Sequence, residues 1–183
     1  MNTNLTALGT LLLTLVSGCT QEKEKGSTSI NSLNKEWHIR NMSIQLPANW
    51  EQLPPLPNGL YPFKNSKCDT TLAFCENLII HFQPNSGKLS LQQVENSILE
   101  ALPNRYKQYR FISSQDTIID DKPGKLIDYM VNEQAIDLGA TMGVVIKNDT
   151  VVVLTGMALN QPKGNYTKYR RTIVNAITSL SNR

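Results

Sequence analysis

Between Tyr109 and Leu159 the chain carries four extended runs separated only by tight turns, and this stretch limits the fold more than any other. The first run holds Tyr109, Phe111 and Ile112 and continues to Ile118; the second alternates through Ile127, Tyr129 and Val131. Two β-rich runs follow, Gly139 to Ile146 and Thr150 to Leu159. Asp120-Asp121-Lys122-Pro123-Gly124 and Lys147-Asn148-Asp149 separate them, residue types that take turn conformations at little cost. A parallel return needs a crossover of about a dozen residues or more, so strands joined this closely pair antiparallel. The stretch predicts four antiparallel strands.

Such a sheet needs cover, and two segments can supply it. Ser90-x-x-Gln93 is a capping box, followed by Leu91, Val94, Ile98 and Leu102 at helical spacing as far as Pro103. Near the end, after the break at Pro162-Lys163-Gly164-Asn165, the residues Tyr166, Tyr169, Ile173, Ala176, Ile177 and Leu180 fall along one face of a second helix. Upstream, Met42, Ile44 and Leu46 alternate with polar residues, and Trp37 and Ile39 alternate in the opposite phase. A turn near Arg40-Asn41 reconciles them. Leu78, Ile80 and Phe82 form a further strand, closed by Pro84-Asn85-Ser86-Gly87. The expectation is an α+β fold: an antiparallel β-sheet covered by two main α-helices in α/β/α layers. With 183 residues, 40% apolar and 18% charged, there is room for one domain. The formal charge of +3 gives no case for a nucleic-acid partner.

Met1 to Gly18 contains no charged side chain, and its apolar run around Leu11 to Val16 is shorter than the roughly 20 residues a membrane span needs. It fits the apolar region of a secretory signal. Leu15-Val16-Ser17-Gly18-Cys19 then resembles a bacterial lipobox. The resemblance implies a lipoprotein signal peptide over residues 1–18, cleavage before Cys19, acylation (palmitate included) of Cys19, and membrane attachment through that N-terminal lipid. Thr20 stands where an aspartate would signal inner-membrane retention, so the resemblance favours an outer-membrane lipoprotein facing the periplasm. Residues 19–36 read as a flexible tether, rich in Ser, Thr, Asn, Gln, Lys and Glu. The single domain is expected over 37–183. With Cys19 lipidated, Cys68 and Cys75 remain, enclosing six residues; outside the cytosol such a pair reads as a disulfide. A metal site there would need two further ligands, with His38 and His81 as the available imidazoles, and no metal or other cofactor is expected.

Pro47 to Asn77 is the conspicuous irregular stretch. Five of the nine prolines (Pro47, Pro54, Pro55, Pro57 and Pro62) fall within sixteen residues. Proline-rich chain favours polyproline II and avoids central strands, so no regular element is expected here. Trp50, Leu53, Leu56, Tyr61 and Phe63 are its candidate binding anchors, pinned by Cys68–Cys75 into a rigid apolar patch. The competing reading is that Trp50, Tyr61 and Phe63 cover one end of the sheet. Two basic groups, Arg105, Lys107 and Arg110, and Lys163, Lys168, Arg170 and Arg171, suit an anionic surface or the solvated side of a helix.

Motifs for chemistry are lacking: no nucleophile elbow, zinc-protease helix or phosphate-binding loop occurs. His81, between Ile80 and Phe82 on a strand, reads as a surface or satisfied sheet histidine rather than a general base. Asp116, Asp120, Asp121 and Asp128 lack calcium-loop spacing and read as turn residues.

Met42-Ser43-Ile44-Gln45-Leu46-Pro47-Ala48-Asn49-Trp50 resembles the opening strand and Pro-x-x-Trp corner of PsbP-like and Mog-type domains, including DcrB-like bacterial lipoproteins. The element order agrees across roughly residues 37–181. The resemblance implies a non-enzymatic binding, assembly or chaperone module with no shared catalytic set. The expected function is a lipid-anchored, non-catalytic envelope protein that binds a protein partner, as an assembly or immunity/chaperone-type module. The alternative is a periplasmic carrier of a small ligand or lipid in a cavity between helix and sheet, and a hydrolase using His81 stands third.

Overall fold

The computed structural model describes residues 34–68, 74–133, 135–160 and 165–182. The elements run β1 (Asn34–Ile39), β2 (Met42–Pro47), β3 (Trp50–Gln52), β4 (Leu60–Asn65), β5 (Asn77–Pro84), α1 (Leu91–Arg105), β6 (Gln108–Ile119), β7 (Lys122–Glu133), β8 (Ile136–Lys147), β9 (Thr150–Leu159), α2 (Asn165–Thr178) and β10 (Ser181–Asn182). The described residues are mostly antiparallel β-sheet with two helices. A three-stranded sheet has the order β1-β2-β10, and a seven-stranded sheet the order β3-β4-β5-β9-β8-β7-β6. The expected meander is β6 to β9, and its hairpins have local causes. Asp120 and Asp121 take φ of 50° and 55°, Asn148 and Asp149 46° and 57°. Two consecutive left-handed residues make the turn whose twist matches a hairpin, and Asn and Asp adopt it readily.

Several expectations are corrected. The break after β6 is two residues long, and Pro123 and Gly124 belong to β7. Pro123 is tolerated because β7 begins pairing with β8 only at Gly124, so no β8 carbonyl needs its missing N–H. α1 runs through Pro103 to Arg105, since a proline in the last turn removes only one bond before the helix ends. β1 starts at Asn34, so residues 34–36, read as tether, pair with Gln45–Pro47 of β2. The stretch from Pro47 to Asn77 is not irregular throughout, for it contains β3 and β4. Leu53 N–H donates to the Pro62 carbonyl at 2.9 Å, but proline cannot return the bond, which stops the β3–β4 ladder after Gln52↔Phe63.

Successive residues on a strand point to opposite faces. On β9 and β8, Val152, Leu154, Ala158 and Val145 join one buried cluster with Ile173, Ala176 and Ile177 of α2 and Ile44 and Leu46 of β2. Their neighbours Val151, Val153, Met157, Met142 and Val144 join a second cluster with Val94, Ile98 and Leu102 of α1. The α2 side packs unusually close. A Cβ at Gly143 would lie 2.3 Å from Ile177 Cγ2, and one at Gly156 2.3 Å from Ile173 Cγ2, so only glycine fits beneath the helix. The α1 side carries bulkier side chains, and α1 is fixed by its capping box at Ser90 and Gln93 and by Glu95, which pairs with Lys125 of β7 at 3.0 Å.

Candidate functional site

The proposed anchors of the proline-rich stretch do not form an exposed patch. Trp50 is buried on β3 and Phe63 is fully buried on β4, edge-on to Trp37 at 5.6 Å between ring centroids. Tyr61 is half-buried against Phe82 at 5.7 Å, its hydroxyl accepting from Arg40 Nε at 3.2 Å. Leu53 and Leu56 are half-buried, and Leu56 N–H donates to Leu60 O at 2.9 Å, folding the prolines back as an extension of the β3–β4 hairpin. The reason is the pattern itself: Trp50 and Phe63 lie where the small sheet closes over the large one, and burying rings of that size there outweighs presenting them. Cys68 and Cys75 are joined in a disulfide, with a Cα–Cα separation of 5.3 Å. Glu76, buried beside it, accepts from Asn65 Nδ2 at 3.0 Å. Cys19 lies outside the described residues.

His81 is not a surface histidine. It is buried on β5, and its Nδ1 has no hydrogen-bond partner among the described residues. Burial lowers its pKa, the Asn58 carbonyl that it bonds works against that, and the charge of Arg40 adds to the lowering. Among the described residues no serine or carboxylate side chain bonds to it, so it has no partner for base catalysis there. His38 is exposed. Asp120 and Asp121 form a turn as expected, but Asp128 does not, and no cluster of three potential metal ligands occurs among the described residues.

What the structure does assemble lies at the opposite edge. β7 carries Asp128 on the α2 side, where its carboxylate accepts from Thr141 Oγ1 at 2.8 Å, Tyr166 OH at 3.0 Å, Ser113 Oγ at 3.2 Å, and Arg170 through Nε at 3.0 Å and Nη2 at 2.6 Å. Burial alone would raise the pKa of Asp128; the hydrogen bonds from Arg170, Thr141 and Tyr166 and the guanidinium charge outweigh it and hold the carboxyl below the usual range. Arg170, read from sequence as one of a solvated basic group, is thus the bidentate clamp of α2 onto the sheet. The carboxylate is saturated, so its role is structural. It forms one wall of a cavity of about 430 Å³ whose lining includes Arg110, Ile112, Ser113, Met130 and Asn160.

β6, the strand beside this cavity, is the last of the seven. Its register with β7 shifts between Phe111 and Ser113, a bulge in which Ile112 is the extra residue. The shift keeps Arg110 and Ser113 on one face, opposite Met130 and Asp128, and turns Ile112 outward. Among the described residues the large apolar side chains left exposed are Phe111 (46%), Ile112 (44%) and Ile118 (59%), and all three are on β6. Arg110 is exposed, and no carboxylate among the described residues lies within ion-pair distance of it. The sequence carried one sign of this: Phe111-Ile112-Ser113-Ser114 breaks the two-residue alternation at the bulge.

This architecture is that of PsbP-like and Mog-type domains. No protein-family model matches the chain, and no curated protein matches its sequence. Solved structures do. The Saccharomyces cerevisiae Ran-binding protein Mog1p superposes with a TM-score of 0.62 at 14% identity, covering 82% of this chain and 96% of that one. Cyanobacterial PsbP from Synechocystis gives 0.60 at 11% identity, covering 88% and 98%. LpqN, involved in cell envelope biogenesis of Mycobacterium tuberculosis, gives 0.54 at 8%, covering 81% and 90%. At these identities the likeness concerns the fold.

Proposed function

We propose that the protein is a lipid-anchored, non-catalytic component of the bacterial cell envelope whose domain binds another protein. The observation that carries this reading is the edge strand β6, which bears every large exposed apolar side chain of the described residues, one of them, Ile112, in the lining of the cavity. Soluble domains seldom leave such a group uncovered without a use for it. The fold agrees, since Mog1p is a Ran-binding protein and LpqN takes part in cell envelope biogenesis. The Cys68–Cys75 disulfide suits an oxidising compartment outside the cytosol. No helix among the described residues is long and apolar enough to cross a membrane, so attachment falls to the lipid on Cys19, and Thr20 directs the product to the outer membrane.

Two measurements test this. Membrane-extracted protein should begin at Cys19 and carry the mass of a diacylglycerol, and a globomycin-type inhibitor of signal cleavage should shift it to the uncut form. Unmodified Cys19 in membrane-free protein would contradict the anchor. Crosslinking in intact envelopes should then yield a discrete protein adduct, and its absence would contradict the binding role. The cavity also favours a second reading, a carrier of a small anionic ligand, because the guanidinium of Arg110 and the apolar Ile112 and Met130 line one space. Native mass spectrometry of the mature full chain decides it: a carrier retains a bound molecule, and a protein-binding domain flies empty.

A further inference from the structure

The seven-stranded sheet has to end somewhere, and a sheet end is a row of unpaired backbone N–H and C=O groups that invites another strand. Proteins blunt such edges with proline, with short strands or with charge. β3, at one end, is three residues long and is followed by Pro54 and Pro55. β6, at the other, is twelve residues long, contains no proline, and pairs only with β7 among the described residues. Its exposed side chains are apolar at Phe111, Ile112 and Ile118. The blunting devices present are the exposed charges of Arg110 and Asp116 and a bulge, which breaks the edge at Ile112 without covering it.

The charges near that edge select the occupant. Lys107 and Arg110 are exposed at the start of β6. The acidic residue of β6, Asp116, is engaged by Lys125 at 2.8 Å and lies beyond the bulge. The cavity beside Arg110 opens on the same face, with Ser113 and Met130 in its lining. An extended segment laid along Gln108–Ile112 would set its apolar side chains against Phe111 on one face of the sheet, and its acidic ones on the other face against Arg110, over the cavity that Ile112 also lines. We infer that β6 receives an acidic, extended segment of a partner protein as an eighth strand of the sheet, the backbone supplying affinity and the Arg110 cavity supplying selection. This rests on the protein-binding reading above and names the kind of partner.

The probe is a synthetic peptide alternating valine and glutamate, set against its valine–lysine counterpart, with the mature full-length chain in detergent. Fluorescence anisotropy should show the glutamate peptide binding at least about tenfold more tightly, and Arg110→Glu should remove about that factor. Hydrogen exchange should slow in the amides of Gln108–Ile119 and not in those of β3. Ile112→Glu, which sets a like charge beside Arg110 against the glutamates, should weaken binding similarly, while Lys88→Glu, an exposed charge in the β5–α1 turn, leaves it unchanged. Equal binding of the two peptides, protection elsewhere, N-acetylglutamate binding as tightly as the peptide, or a dimer joined through β6 in sedimentation would each overturn the proposal. Unchanged melting temperatures for Arg110→Glu and Ile112→Glu would show that lost binding is not lost folding. If the peptides fail while envelope crosslinking still yields a protein adduct at another surface, the edge is wrong and the protein-binding reading stands. If neither binds, both fall.

Discussion

The two edges of the seven-stranded sheet are built on opposite plans. The β3 edge is short and proline-flanked, and the aromatic rings of Trp50 on β3 and Phe63 on the adjoining β4 are buried. The β6 edge is long and regular up to its bulge, and it turns Phe111, Ile112 and Ile118 outward. Residues that look conspicuous in sequence, prolines among aromatics, close an edge here, whereas the open edge is written in ordinary strand residues. A cluster of aromatics is therefore a statement about burial until its neighbours are known.

The largest expected effect separates the two edges directly. Phe63→Ala removes a fully buried ring beside Trp37 and should cost about 3–5 kcal/mol of unfolding free energy in a denaturant titration. Phe111→Ala, the same change at the open edge, should cost under about 1 kcal/mol, since nearly half of that ring is already exposed. Equal losses would erase the distinction. Next, Asp128→Ala should cost about 3 kcal/mol, because it leaves Arg170 and the hydroxyls of Thr141 and Tyr166 without their acceptor. Asp128→Asn, keeping the shape, should recover part of that loss. Replacing Cys68 and Cys75 by serine should cost about 2 kcal/mol through the freed loop, with hydrogen exchange rising near β4 and staying unchanged along β6.

The smallest effect is on pH. The folded state holds the pKa of His81 below its ordinary 6.5, so folding favours the neutral ring. Its contribution is complete above that value and declines as the pH drops through it toward the lower folded pKa. Thermal melts of the wild type should weaken between about pH 7 and pH 5, and His81→Gln should flatten that slope. A slope that survives the substitution assigns it to another group.

Much of the fold was legible because its signals are local. The turns at Asp120-Asp121 and Asn148-Asp149, the capping box at Ser90 and the stripe from Tyr166 to Leu180 each act over a few residues, and each appears as read. The pair Cys68–Cys75 was legible from its spacing once Cys19 was set aside. The edges were not legible, because an edge is defined by pairing across long sequence separations. β5 inserts beside β9 and carries β4 and β3 outward, and that single long-range choice leaves β6 at the opposite end. Arg170 was misread for the same reason, since its carboxylate lies forty-two residues earlier. β10 gave no signal at all, being two residues that pair with Met42 and Ser43 only after α2 has delivered them there.

The central claim is that partners meet this protein along β6 and not along the proline-rich edge, and a pair of photo-crosslinkers reads it most directly. A photoreactive residue at Ile112 and another at Leu56, each placed in the full chain in intact envelopes, should give a protein adduct from Ile112 alone. An adduct from Leu56 with none from Ile112 would contradict the account.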